Sequence, residues 1–158
     1  MLEVKVNNNL KTVQKRYNKF ISKFPSIVRQ GLEQAGVQLK EIILDKTNRG
    51  ISVSGKRFPD YSFAYSQEKG KITVNLQDTN KMLQSIDSKL KSKNKVQLYF
   101  RSQTEAKKAY WHQTGQGKLP VRKFFGFNDK TERLIQKTFH NFIKKQMKQF
   151  KIWVYEKI

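Results

Sequence analysis

Residues 109 to 127, AYWHQTGQGKLPVRKFFGF, set one of the chain's two histidines among a tryptophan, two glycines, a proline and a phenylalanine pair. Histidine is the ordinary acid-base residue near neutral pH, so the stretch reads either as an active-site loop or as a structural clasp containing a histidine. Catalysis or metal binding would need further acids, bases or ligands beside His112. His140 lies far along the chain, and no HxxxH or HExxH spacing exists. Asp45, Asp60, Asp78, Asp87 and Asp129 stand near turn or cap positions, where a carboxylate ordinarily accepts backbone N–H bonds. GQG in GQGKLP is no phosphate loop, because neither GxGxxG nor a GK[ST] ending is present. With no cysteine, thiolate ligands, disulfides and cysteine nucleophiles are excluded. The residues therefore predict no enzyme, no cofactor and no metal site.

Charge is the stronger signal. Lys plus Arg is 33 against 12 for Asp plus Glu, a net +21 in 158 residues. That exceeds what solubility needs and points to an anionic partner: DNA, RNA, an acidic protein or an anionic lipid surface. Lysines far outnumber arginines, which favours diffuse attraction to phosphate over base readout, so any DNA contact is expected to be blind to sequence. No stretch approaches 18 apolar residues, and MLEVKVNNNL lacks a signal-peptide core, so a soluble protein without membrane association is expected. Eleven phenylalanines and six tyrosines supply enough apolar area for one core.

The elements that would position these residues follow from periodicity. Leu2, Val4 and Val6 alternate as a short strand. Leu10, Val13, Tyr17, Phe20, Ile21 and Phe24 recur at helical steps with Lys11, Lys15 and Lys19 outward. Pro25 is expected to end that helix, and either Pro25 or Ser26 to open a second one striped by Ile27, Val28, Leu32, Ala35, Leu39, Ile42 and Ile43. Gly31 and Gly36 within it imply close approach of another helix. Residues 47–62 read as a long loop whose aromatics, with Phe63 and Tyr65, pack in part against something. KITVNL is a strand candidate, and either Asp78 or Thr79 caps a helical turn carrying Met82, Leu83 and Ile86. A hairpin follows around KSKNK, then a helix capped by Thr104 and ended by Gly115. Either Asn128 or Asp129 opens a long final helix striped by Leu134, Ile135, Phe139, Phe142, Ile143, Met147 and Phe150. Its other face, Lys130, Arg133, Lys137, Lys144, Lys145 and Lys148, is the candidate surface for an anionic partner. Together these predict one α+β domain over 1–158: a core to 149, with antiparallel sheet and hairpin packed against several helices, and 150–158 as a terminal strand or docking arm.

Two ordered motifs carry a resemblance. FPDYSFAY followed by VNLQDTNKMLQSI is similar to the segment of phage virion-morphogenesis and tail-completion proteins in which an aromatic loop precedes VDL-x-x-TG-x-ML-x-SI. AKKAYWHQTGQGKLPVRKFFGF resembles that family's second signature, HQ-x-G followed by a proline and Arg-x-Phe-Phe-Gly. The resemblance spans about residues 50 to 130. It makes Leu76, Thr79, Met82, Leu83 and Ile86 the first element, and Ala109, His112, Gln113, Gly115, Pro120, Arg122, Phe124, Phe125 and Gly126 the second. Asn80 stands where the family has glycine, and asparagine is the next best residue for a positive φ. What the resemblance implies is a structural, non-enzymatic virion protein assembled in the host cytoplasm. It would join head to tail at the neck or complete the tail, as a hexameric or dodecameric ring touching connector and tail proteins and the passing DNA. The residues alone leave a second reading open, a sequence-independent nucleic-acid-binding protein. Within the clasp, His112 is expected to bond the last helix carbonyls or a neighbouring loop, and Arg122 is the candidate for a pair between subunits.

Overall fold

The computed structural model describes residues 9–70 and 74–152. The expected strand at Leu2, Val4 and Val6 lies outside the described residues, as does most of the expected C-terminal arm.

One helix, α1, runs from Leu10–Asn48, 39 residues and so roughly 58 Å long. Pro25 sits inside it and does not end it. An interior proline removes one helical hydrogen bond and crowds the preceding turn, at about 3 kcal/mol. Burial on both sides of the break outweighs that cost: Phe20 is covered before it, and Ile27, Gly31, Ala35, Gly36, Ile43 and Thr47 after it. Gly31 is where another helix comes closest, since a Cβ there would stand 2.8 Å from a ring carbon of Phe139. At Gly36 the close neighbour is not a helix but the hairpin, through Val96 and Ser88.

After α1 the chain forms a tight excursion closed by a bridge between Ile51 and Arg57, then a short helix α2 at Phe63–Lys69. The expected strand KITVNL does not form over its described part: Val74 and Leu76 are buried, but Leu76 has a φ of 54°, incompatible with a strand. One turn of helix, α3, spans Lys81–Gln84. Its N-cap is neither Asp78 nor Thr79 but Asn80, whose φ of 59° is the left-handed conformation a glycine would ordinarily supply. Strands β1 (Ile86–Ser92) and β2 (Lys95–Phe100) then pair antiparallel, Ile86 opposite Phe100, as a two-stranded hairpin.

Helix α4 covers Gln103–Thr114 and ends at Gly115 in the left-handed conformation. Its cap is Ser102 rather than Thr104: the Ser102 hydroxyl accepts from the Glu105 amide, the spacing of a capping box. Helix α5, Asp129–Gln149, is capped by Asn128, whose Oδ1 accepts from both the Thr131 amide and the Thr131 hydroxyl. Beyond it, the Lys151 and Ile152 amides bond back to Lys148 and Met147. The fold is thus a single α+β domain. Helix α1 is its spine: the hairpin lies against its middle and α5 runs alongside. The core gathers Ile43 from α1, Met82 and Leu83 from α3, Ile86 from β1, Ala109 from α4, and Phe58, Val74, Leu76 and Phe124 from the connecting segments. Burying a large apolar side chain of this kind stabilises by about 1.5–3 kcal/mol.

Candidate functional site: the clasp, its cleft and the basic helix faces

The two signature stretches meet in one packed unit. From the first, Leu76, Met82, Leu83 and Ile86 are core residues, while Thr79 is exposed at a cleft. From the second, Ala109 and Phe124 join the same core, and Phe125 packs on it against Phe100 with ring centroids 4.8 Å apart. The element that fastens them is Gln113. Its Oε1 accepts from the backbone amides of Phe124 (2.7 Å) and Phe125 (3.2 Å), and its Nε2 donates to the Phe125 carbonyl at 2.7 Å. One side-chain amide thus acts as a strand partner for a segment that pairs with no strand among the described residues. Gly115 makes the reversal possible: at φ 72°, a Cβ there would stand 2.8 Å from Val121 and 3.1 Å from the Leu119 carbonyl. Pro120 is half-buried on the return.

Arg122, the candidate for a pair between subunits, directs its Nε and Nη2 donors at this chain's own carbonyls. It is 3 % exposed. Its Nε and Nη2 donate to the Pro59 carbonyl at 3.1 and 3.0 Å, and Nη2 also donates to the Asp60 carbonyl. The guanidinium lies 5.0 Å from the centre of the Tyr61 ring, a cation–π contact. Burial lowers its pKa from the usual value, with Tyr61, Tyr65 and Asp60 opposing. An arginine at this depth keeps its charge, because carbonyl dipoles replace the lost water.

His112 also departs from expectation. Its carbonyl accepts from the Arg122 amide at 2.7 Å, closing the clasp, but its ring does not cap the helix. The Nδ1 atom is buried without a hydrogen-bond partner. Burial first, and then the charge of Arg122, hold the imidazole below its ordinary pKa, so it is neutral near pH 7. His140 is exposed on α5, and the two histidines are not brought together. Among the described residues no three His, Asp or Glu side chains converge as metal ligands.

The long loop whose aromatics were expected to pack in part is divided. Its first half docks on this chain: Phe58 is in the core, the Val53 amide donates to the Lys123 carbonyl, and Asn128 Nδ2 donates to the Val53 carbonyl. Phe63, 80 % exposed, is the aromatic left furthest outside, with Tyr65 also exposed. Sequence reasoning missed Glu105, which is buried and bonded to Lys108 at 2.9 Å. The Ser102-x-x-Glu105 spacing was the signal that could have found it.

On α5 the basic residues share one face. At 100° per residue, Lys130, Arg133, Lys137, Lys144, Lys145 and Lys148 fall within about 120°. All but the half-buried Lys144 are exposed. Leu134 belongs to that face by the same geometry, not to the apolar stripe, and it is exposed accordingly. Ile135, Phe139, Phe142, Ile143, Met147 and Phe150 form the stripe and are only half-buried. Helix α1 covers the stripe as far as the Phe20–Phe150 ring contact at 5.5 Å. Past that point the α1 seam continues uncovered by described residues: Leu10, Val13 and Tyr17 are 68, 55 and 54 % exposed. Lys11, Lys15, Arg16, Lys19 and Lys23 surround it, and no acidic residue occurs between Leu10 and Leu32. No described helix is long and apolar enough to cross a membrane.

Comparisons with family models, with curated proteins and with solved structures give no match. The functional reading therefore rests on the residues and their geometry.

Proposed function

We propose that this chain is a structural subunit of a tailed-phage virion, a head-tail joining or tail-completion protein acting as a ring of six or twelve copies, with no catalytic step. The observation that carries the reading is that the three stretches resembling such proteins, FPDYSFAY, VNLQDTNKMLQSI and the clasp, pack together as one unit. The exposed seam of Leu10, Val13 and Tyr17 supports self-association, since an apolar stripe of this kind ordinarily marks an interface. In a ring, the basic face of α5 lies either along the path of DNA phosphates or against acidic surfaces of connector and tail proteins.

Light scattering on the purified chain, alone and with the connector and tail proteins of its phage, tests this. A ring, or stable association with those proteins, is expected. A monomer that ignores them but binds DNA tightly with a steep salt dependence would establish the second reading, sequence-independent nucleic-acid binding, which the basic face of α5 favours.

A further inference from the structure

The three stretches also enclose a cleft of about 350 Å³. Its walls are largely apolar, from Tyr61, Tyr65, Leu76, Leu119 and Pro120. Arg122 lines it, and its bonds to Pro59 and Asp60 use the Nε proton and both Nη2 protons. The two Nη1 protons have no acceptor among the described residues. Beside them lies the His112 ring, with its buried Nδ1 unpaired. Two lysines complete the positive set: Lys69, held by the Tyr61 hydroxyl and Asn75 Oδ1, and the exposed Lys118. Asp60 and Asp78 line the cleft as well.

We infer that this cleft binds a peptide segment of a partner protein through a single carboxylate flanked by an apolar side chain. Three cations against two carboxylates leave one net positive charge, which one carboxylate neutralises. The guanidinium edge left free on Arg122 suits one anionic oxygen, and the neutral imidazole adds a partner for the second. Tyrosine, leucine and proline walls receive the apolar side chain. Asp60 and Asp78 select peptide over nucleic acid: they accept backbone N–H groups of a peptide but repel a strand bearing a phosphate on every residue. The inference does not depend on ring formation.

The test uses the full chain and three probes, read from the ring NMR signals of His112, Tyr61 and Tyr65. The probes are acetyl-Gly-Leu-Phe with a free carboxylate, its carboxamide twin, and an eight-residue oligothymidylate. The free carboxylate should shift these signals saturably, with the carboxamide at least about fivefold weaker, as expected for loss of a charge-assisted bond. Lys118→Ala, at an exposed position that leaves folding intact, should weaken the carboxylate probe by about two- to fivefold, the range of an exposed ion pair. Equal binding of the carboxamide, stronger shifts from oligothymidylate, no shifts from any probe, or an unchanged affinity in Lys118→Ala would each overturn the inference.

Discussion

In the clasp, Gln113, Arg122 and Asn128 direct their hydrogen bonds at this chain's own backbone, and Phe124 is 2 % exposed. In the first turns of α1, Leu10, Val13 and Tyr17 extend a seam that is covered at Phe20, yet nothing among the described residues lies over them. Both regions are rich in large apolar side chains and lysine. They differ in whether the large apolar side chains are covered inside the chain. A region completed internally contributes folding stability, whereas one left open contributes little until something covers it. On the proposed function, folding stability lies mainly in the clasp and self-association in the seam, so the two can be altered separately.

The sharpest way to break that contrast is at the clasp. Phe124→Ala should destabilise by about 3–5 kcal/mol in urea unfolding, as for a fully buried aromatic; a loss under about 1 kcal/mol would mean the clasp is not core. Gln113→Leu keeps the volume roughly but strands two amides and a carbonyl, so about 2–4 kcal/mol should be lost in the same measurement. Pro25→Ala works in the opposite direction. It restores a helical bond at an exposed site and should stabilise by about 1–3 kcal/mol, with added helical signal in circular dichroism. For His112 the folded pKa lies below the unfolded one, so the unfolded state takes up its proton first as pH falls. Its contribution is complete above about pH 6.5 and declines as the pH drops toward the folded value. The urea midpoint should fall through that window, and His112→Gln should flatten this part of the profile. The smallest effect belongs to the first turns of α1: Val13→Ser with Tyr17→Ser should change monomer stability by under about 0.5 kcal/mol while abolishing the proposed assembly seen by light scattering. Unaltered assembly would remove the proposed role of the seam.

The hairpin, α4 and α5 were legible because each has an unbroken local signal: alternation around KSKNK, a glycine stop at Gly115, a helical period after Asn128. Pro25 misled because propensity is local, while packing that overrides it is supplied from more than a hundred residues away, as at the Phe20–Phe150 ring contact. Leu134 was drawn into the stripe by its type, although its angle on the helix assigns it to the lysines. At the clasp the roles of the motif residues were not readable. That Gln113 imitates a strand and Arg122 reaches back to Pro59 depends on which backbone segments the fold brings alongside, and no spacing in the sequence encodes that.

Pro25 has a further consequence for the first turns of α1. With no amide proton to meet the carbonyl of Ile21, the hydrogen-bond ladder of α1 has a missing rung just past Phe20, the first covered residue of the seam. Fraying that begins at Leu10 therefore meets the Phe20–Phe150 ring contact and then a gap in the ladder, while the hairpin and α5 hold the remainder. The proline is a firebreak: loosening of the open turns is not passed along the helix to the core.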